Sequence, residues 1–239
     1  SRQMEGDSPV ADVRIGLHWT VLVTEDGRSG IANSNFEAHE VHGTTDVRDA
    51  GKLVGKSTRE LAGLALTGGP VERGLGVVAL NALLPAPDES SLFDLNAADL
   101  ILERCTGAAV AIVGHFPFIE RVRQAADRLW VIELNPGPGE FEAEKAPELL
   151  PQADIAAITG SAIVNGTLDQ LLSWCKPDTF VLVLGPSTPL HPILFDRGVD
   201  AIAGSLVVDP ELCMTYVGQG TTFRQIRGIR KVIMQQHIG

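Results

Sequence analysis

Four short stretches of small and polar residues each follow an apolar run, and the first holds the strongest candidate for proton transfer. His115 lies between Gly114 and Phe116, after the apolar residues 108–113 and before the amphipathic residues 119–129. An unperturbed imidazole has a pKa of about 6.5, which suits a general acid or base at neutral pH. The alternative is that His115 is only a turn or core residue beside aromatic side chains.

The second stretch contains an acidic residue at a spacing typical of dinucleotide-binding proteins. Glu133 follows Gly114 by 19 positions (133 − 114), close to the spacing of about 20 at which such domains bind a ribose diol. The turn at 114–118 lacks the other glycines of that motif, and Phe116 and Pro117 would obstruct a pyrophosphate. We therefore expect no NAD. Glu133 would hold a diol or a ring N–H, or form a surface ion pair.

The third stretch, residues 159–167, and the fourth, residues 185–189, offer hydroxyl, amide and backbone N–H groups, which suit a carboxylate or a phosphate. Simple turns and helix caps are the alternative, and residues 167–170 read as a capping box opened by Thr167. Together with Gly114 and Phe116, the candidate ligand contacts in these stretches are Thr159, Gly160, Ser161, Asn165, Gly185, Ser187 and Thr188.

From residue 96 onward the apolar runs indicate a parallel sheet. Runs that are apolar throughout are typical of strands covered on both faces, and repeated βα units predict a doubly wound α/β domain. The carboxyl ends of such strands meet at one edge, where ligands bind, so the four stretches should share one cavity. The predicted strands are 108–113, 130–134, 154–159, 179–184 and 201–203, and the predicted helices are 97–104, 117–129, 143–150, 168–175 and 192–197.

The first part of the chain predicts a smaller α+β domain. Residues 14–24 read as one strand and 29–33 as a return strand, followed by a helix that Ser57 caps. Pro70 begins a second helix that reaches residue 84, and the proline-rich residues 85–91 read as a linker. We therefore assign residues 1–90 and 91–239 to two domains.

Asn81 is a further candidate, because it lies within the apolar residues 77–84 of that second helix. An amide inside a hydrophobic helix must find hydrogen-bond partners. Asn81 either faces the other domain and a ligand between the two, or bonds only to nearby backbone.

Composition excludes several classes of partner. The formal net charge is −11, and such a balance repels nucleic acid and acidic membrane surfaces. Arg224, Arg227, Arg230 and Lys231 are a local exception, which we interpret as a solvated face. No apolar run approaches the roughly 18 residues of a membrane span. The sequence is compatible with a homo-oligomer.

Cysteine and histidine patterns predict no metal cage. The three cysteines are far apart and form no CxxC, which argues against a disulfide framework and favours a reducing, cytoplasmic setting. His39 and His42 form His-Glu-Val-His, but their spacing is not that of a helical zinc pair. If a metal is involved, we expect it to arrive with an organic ligand. The residues identify no cofactor.

Several motifs occur in a fixed order along nearly the whole chain, at residues 16–20, 51–55, 79–83, 113–118, 150–154, 158–161 with Asn165, and 184–189. Together they resemble one known family, the putative heavy-metal chelation family. The resemblance implies an enolase-N-terminal-like domain followed by a Rossmann-like domain, with the site between them. It also implies condensation or hydrolysis of a pterin-, flavin- or metallophore-like metabolite linked to metal handling.

Three functions follow as hypotheses. The first is an enzyme acting on a small metabolite, in which His115 transfers protons, Glu133 holds a polar edge, and Ser187, Thr188 and turn amides hold an anion. Asn81 and Asn165 would orient that substrate. The second is a non-catalytic binder of a metal chelate in the same pocket. The third is a methyltransferase-like domain that binds S-adenosylmethionine, against which the obstructed glycine turn counts.

Overall fold

The computed structural model describes residues 6–36 and 47–236, and its strands form two sheets. The smaller sheet contains β1 (Val10–Ile15), β2 (Trp19–Thr24) and β3 (Ser29–Asn33). The larger contains β4 (Ala109–Val113), β5 (Arg128–Glu133), β6 (Phe141–Glu142), β7 (Ile155–Thr159), β8 (Phe180–Leu184), β9 (Ala201–Val207) and β10 (Ile229–Gln235).

Nine α-helices occur within those described residues. They are α1 (Thr58–Ala62), α2 (Leu64–Thr67), α3 (Pro70–Leu83), α4 (Ala97–Leu102), α5 (Ile119–Ala125), α6 (Ala146–Leu149), α7 (Ser161–Asn165), α8 (Leu168–Trp174) and α9 (Pro210–Gly218). Short 3₁₀ segments lie at Glu89–Ser91, Ala143–Lys145, Leu150–Gln152 and Pro192–Arg197.

The larger sheet has the order β10-β9-β8-β7-β4-β5-β6, and only β10 runs antiparallel to its neighbour. The chain runs outward from β4 through β5 to β6, returns to β7 on the other side of β4, and then runs outward to β9. The direction of winding therefore reverses between β4 and β7. In an open parallel sheet, ligands bind at that reversal, beyond the carboxyl ends of the strands.

Helices cover both faces of this sheet, which confirms the α/β prediction. Leu100 and Ile101 of α4 and Val122 of α5 pack with one set of strand side chains. Leu149 of α6 and Leu171 of α8 pack with the other set. Each face therefore buries its own apolar core, as the uniformly apolar strands predict.

Helices also cover both faces of the smaller sheet. Leu61, Val71 and Leu75 from α1 and α3 pack on one face. On the other face, Cys213 and Val217 of α9 contact the sheet. Because α9 follows β9 in the chain, a helix of the C-terminal part joins the two sheets into one packed unit.

Three sequence predictions about elements are wrong. Residues 14–24 form two strands because the chain turns at Gly16, whose N–H donates to the carbonyl of Trp19 (2.9 Å). A Cβ at Gly16 would lie 2.2 Å from the carbonyl oxygen of Val217, so only glycine fits beneath α9. Helix α5 is shorter than 117–129, since Pro117 lies in the turn before it.

The third error concerns the caps. The side chain of Ser57 accepts from the N–H of Glu60 (3.0 Å) and caps α1 as predicted. The Thr167 hydroxyl caps nothing: it donates instead to the carbonyl of Ala162 (3.4 Å). This bond arises because α7, which the sequence did not predict, ends at Asn165 and is capped by Gly166, directly before Thr167.

Candidate functional site

A cavity of about 1410 Å³ opens where the larger sheet meets the N-terminal layer. Its strand-end wall is formed by residues that follow β4, β5, β7 and β8. Its N-terminal wall is formed by Trp19, Asn33, Asn35 and Arg73. Ligand pockets are usually about 300–1,000 Å³, so this one has room for a metabolite of considerable size. It lies at the reversal between β4 and β7, as the sheet rule predicts.

Most of the sequence-predicted residues line this one cavity, including one from each of the four strand ends. The candidates that line it are Gly114, His115, Phe116, Glu133, Thr159, Ser161, Asn165, Gly185 and Ser187.

Asn81, Gly160 and Thr188, which the sequence also suggested as ligand contacts, do not line the cavity. The side-chain amide of Asn81 donates to the carbonyls of Ile31 (3.1 Å) and Ser187 (3.4 Å). Thr188 is only 2% exposed. Asn81 therefore bridges the two parts of the chain behind the cavity wall.

Gly160 is a packing position. A Cβ there would lie 2.4 Å from the hydroxyl oxygen and 2.8 Å from the backbone nitrogen of Thr188. The absence of a side chain lets the ends of β7 and β8 approach each other closely. Gly160 therefore shapes the strand-end wall from behind.

The backbone amides of the strand-end glycines are already used. Gly114 N–H donates to the Ile132 carbonyl (2.9 Å), and Gly160 N–H donates to the Leu184 carbonyl (2.7 Å). Gly185 N–H bonds to the next strand in the same way, through a carbonyl of β9 (3.0 Å). These three amides are therefore not available to hold an anion.

The strand-end wall carries a histidine–carboxylate pair. The Nδ1 atom of His115 lies 2.9 Å from Oε1 of Glu140. The other carboxylate oxygen accepts the Gly137 N–H (2.8 Å). This backbone hydrogen bond, followed by the contact with His115, keeps the pKa of Glu140 below its ordinary value. With an anionic partner at Nδ1, Nε2 of His115 is the atom left to accept a proton.

Glu140 was missed because it follows a loop, 135–139, that the sequence marks only as rigid. In the structure that loop supplies the Gly137 amide, and Glu140 is only 11% exposed while His115 is 67% exposed. A covered carboxylate beside an exposed imidazole fixes the ring orientation at the cavity. The signal available in the sequence was an acidic residue directly after a Pro-Gly turn.

The N-terminal wall differs, because two of its buried donors lack partners. The indole Nε1 of Trp19 and the guanidinium Nε of Arg73 are buried without a hydrogen-bond partner. Buried polar groups are nearly always paired in proteins, and one left unpaired costs about 1–3 kcal/mol. Two unpaired donors on one wall therefore point to a bound ligand that accepts hydrogen bonds.

Two other charged side chains at the cavity form ion pairs. Arg121 pairs with Asp99 (3.1 Å), and Asp94 pairs with Arg230 (2.8 Å). Arg230 was predicted to lie on a solvated face, but it joins the β10 edge to the segment before α4. The carboxylate of Glu133, which lines the cavity, accepts the N–H of Leu134 (3.0 Å).

The described residues do not fit a bare heavy-metal ion. Within 6–36 and 47–236, no group of three or more His, Cys, Asp or Glu side chains is arranged to hold a metal. Burial raises the pKa of the Cys175 and Cys213 thiols to about 11, so they stay protonated at neutral pH and are poor metal ligands. His39 and His42 lie outside the described residues. No helix in the described part of the chain has the length and apolar character of a membrane span.

Comparison with protein families matches nearly the whole chain to one description. A family model described as putative heavy-metal chelation matches residues 96–235. A second model with the same description matches residues 1–84. An uncharacterized protein of Methanocaldococcus jannaschii is 26% identical over 238 residues, covering 96% of this chain and 90% of that protein.

Two crystal structures of proteins with unknown function from the DUF364 family share the fold. The one from Desulfitobacterium hafniense has a TM-score of 0.81 at 24% identity, covering 96% of this chain and 93% of its own. The one from Pyrococcus horikoshii has a TM-score of 0.79 at 22% identity, covering 97% and 94%. At these identities the likeness is one of fold.

Proposed function

This chain belongs to the family described as putative heavy-metal chelation, and from that premise we propose an enzyme that acts on a small organic metabolite in the cavity. The reaction is a condensation or a hydrolysis, and the substrate is a pterin-, flavin- or metallophore-like compound. The single observation that carries the proposal is the His115–Glu140 pair, 2.9 Å apart, at the reversal point of the sheet.

His115 is the proton-transfer group in this proposal. Glu140 orients the imidazole and stabilises the imidazolium that forms when Nε2 takes a proton from water or from a second substrate. Because its pKa is held low, Glu140 stays ionised through the reaction. His115 then returns the proton to the leaving group.

The substrate is organic because the side chains at the cavity do not form a ligand set for a bare metal ion. The described residues place one imidazole, that of His115, at the cavity, and no three of their His, Cys, Asp or Glu side chains are arranged to hold a metal, while a closed metal site takes about four ligands. Any heavy metal handled here would therefore enter or leave as part of a chelate. The aromatic side chains on the cavity wall, including Phe116, Trp19 and Trp174, favour a planar ring system.

The test is a ligand panel followed by a turnover assay. Thermal shift should identify a stabilising compound among pterins, flavins, nucleotides, S-adenosylmethionine, and a metallophore with and without metal, since a ligand that binds the folded protein raises its stability. Native mass spectrometry of the purified protein would detect a ligand that co-purifies.

Turnover of the best compound is then followed by mass spectrometry in three variants. His115→Ala should lower the rate about 10²–10⁴-fold, and Glu140→Gln by at least about tenfold, with little change in ligand affinity. His18→Ala is the matched control, because His18 is exposed and does not line the cavity. Full turnover in His115→Ala would end the proposal.

A second candidate is a non-catalytic binder of a metal chelate. The unpaired Trp19 and Arg73 donors favour it, because they fit binding without requiring chemistry. It predicts that a metal–metallophore complex stabilises the protein more than the free metallophore does, and that His115→Ala changes no product. Stabilisation by S-adenosylmethionine alone would instead support the methyltransferase-like hypothesis.

A further inference from the structure

We infer that Arg73 forms a carboxylate-binding subsite on the N-terminal wall, so that the metabolite is a carboxylic acid. This inference deepens the proposed function and rests on it. It adds the substrate class and a binding residue on the N-terminal side of the cavity.

The position of Arg73 is set by the close packing of α3 on β3. A Cβ at Gly74 would lie 2.6 Å from the carbonyl oxygen of Asn33, so the backbones of the helix and the strand end are in contact there. Helix α3 begins at Pro70, which fixes its first turn. Arg73 directly precedes Gly74. It is therefore held at the point where β3 ends and the cavity begins.

The guanidinium of Arg73 is mostly unengaged. Nη1 donates to the Asn165 carbonyl at 3.4 Å, a long hydrogen bond. Nε is buried with no partner. Within residues 6–36 and 47–236, no carboxylate lies within ion-pair distance of Arg73. A guanidinium fork matches a carboxylate through two parallel N–H···O bonds, so a ligand carboxylate would satisfy this group.

A hydroxyl lines the same cavity as the guanidinium. The Asn33 N–H donates to Oγ of Ser187 (2.9 Å), and Ser187 is only 1% exposed although it lines the cavity. Because Oγ already accepts a hydrogen bond, its own proton is available to a ligand oxygen. Arg73, Asn33 and Ser187 thus form a continuous wall that joins the two parts of the chain.

The charge of this wall suits a carboxylate better than a phosphate. Arg121 is neutralised by Asp99 (3.1 Å), and the ammonium of Lys231 lies over the ring of Phe223, 4.4 Å from its centroid. Arg73 is the cation of the N-terminal wall and balances one carboxylate, while the exposed Arg224 lines the cavity from the segment after α9. A phosphate carries about −1.5 to −2 charges at pH 7 and would need a second cation there.

The experiment measures binding to the full chain by isothermal titration calorimetry. The probes are quinoline-2-carboxylate and citrate as carboxylates, quinoline-2-carboxamide as the neutral match for the first, and inorganic phosphate. We expect the carboxylate to bind at least about tenfold more tightly than the amide, because a charged acceptor forms stronger hydrogen bonds with the Arg73 guanidinium than a neutral amide does.

The variants isolate the guanidinium. Arg73→Met should weaken binding of the carboxylates about 10- to 100-fold, and Arg73→Lys should restore part of the affinity. Arg121→Met is the matched control in the same cavity and should change affinity less than about threefold, because Asp99 already neutralises Arg121. Circular dichroism and an urea midpoint for each variant confirm that it folds.

The inference is overturned if neither carboxylate binds the wild-type protein, if acid and amide bind equally, or if Arg73→Met binds as the wild type does. Tighter, Arg73-dependent binding of phosphate, or an equal loss in Arg121→Met, would also overturn it. Failure of the subsite and failure of the proposed function can be told apart. If acid and amide bind equally in the cavity and are turned over, only the carboxylate subsite is lost. If the carboxylates bind through Arg73 but His115→Ala keeps full turnover, the proposed function fails and the subsite stands.

Discussion

The two walls of the cavity differ in whether their polar groups have hydrogen-bond partners within the protein. On the strand-end wall, the glycine amides and the histidine are paired within the protein: Gly114 and Gly160 bond to neighbouring strands, and His115 bonds to Glu140. On the N-terminal wall, Trp19 and Arg73 keep buried donors without partners. The paired wall holds a reactive group in a fixed orientation, while the unpaired wall is incomplete until a ligand binds.

This difference separates chemistry from recognition. A group that transfers protons must be oriented before the substrate arrives, and the covered Glu140 does this for His115. A group that selects a ligand gains most when the ligand supplies its missing hydrogen bond, because the wrong ligand leaves it unpaired. We therefore assign proton transfer to the strand-end wall and selection to the N-terminal wall.

The largest expected effect comes from a substitution that separates α3 from β3 and so displaces the N-terminal wall. Gly74→Val adds side-chain atoms where a Cβ would already lie 2.6 Å from the Asn33 carbonyl oxygen, so α3 must move away from β3. We expect the free energy of unfolding to fall by about 3 kcal/mol, measured by urea unfolding. Gly218→Ala at the end of α9, where nothing lies within 4 Å, is the control and should not destabilise the protein. A fully stable Gly74→Val would show that the contact is not tight.

Paired and unpaired hydroxyls allow a second comparison. Ser34 is fully buried; its hydroxyl donates to the Gly16 carbonyl (2.7 Å) and pairs with that of Thr20 (3.0 Å). Ser205 lines the cavity with a buried hydroxyl that has no partner. Ser34→Ala should cost about 1–2 kcal/mol and Ser205→Ala should be neutral or stabilising without ligand. Equal losses in urea unfolding would contradict the distinction.

The anchoring of α3 should depend on pH. Burial alone would raise the pKa of Glu72, but hydrogen bonds from the Arg48 side chain, the Arg48 N–H and the Gly69 N–H outweigh it and hold the pKa below its ordinary value. A lowered pKa in the folded state stabilises the protein above the unfolded-state value of about 4.3, and this contribution is lost as the pH falls. Glu72→Gln should therefore lose about 1 kcal/mol at pH 7, and its difference from wild type should shrink below about pH 4. A constant difference across that range would be inconsistent with this role.

The smallest effect concerns the thiols. Because burial raises the pKa of Cys175 and Cys213 to about 11, alkylation by iodoacetamide at pH 7.5 should be slow compared with free cysteine. Added Co²⁺ should likewise give no thiolate charge-transfer band. A strong band at one equivalent of cobalt would mean that the chain binds a bare metal through cysteine.

The two walls also differ in how far the sequence predicts them. The strand-end wall follows from local pattern, since apolar runs locate β4 and β7 and the residue after each run locates His115 and Thr159. The N-terminal wall depends on which face of α3 packs against β3. Nothing near Arg73 in the sequence shows that packing, because it requires the tight contact of Gly74 with Asn33, 41 positions earlier (74 − 33), and the hydrogen bond of Arg73 to Asn165, 92 positions later.

The same reasoning explains the smaller errors. Asn81 was a candidate because an amide in an apolar helix needs hydrogen-bond partners, and Thr188 because its hydroxyl lies in a stiff loop between two prolines. The structure pairs the side-chain N–H groups of Asn81 with the carbonyls of Ile31 and Ser187 and buries Thr188 behind the wall, while Asn81 Oδ1 and Thr188 Oγ1 have no partner. The sequence could show that partners were needed but not whether protein or ligand supplied them. The division into domains at residue 90 stays a prediction.

The central claim, one cavity shared by both walls, is most directly tested by the three tryptophan indoles in a ¹H–¹⁵N spectrum during titration with quinoline-2-carboxylate. Trp19 lies on the N-terminal wall and Trp174 on α8, and both line the cavity, whereas Trp130 is buried in the sheet core and does not. We predict that the Trp19 and Trp174 signals shift together with one dissociation constant while the Trp130 signal stays in place. Movement of only one cavity indole, or of none, would contradict the shared cavity.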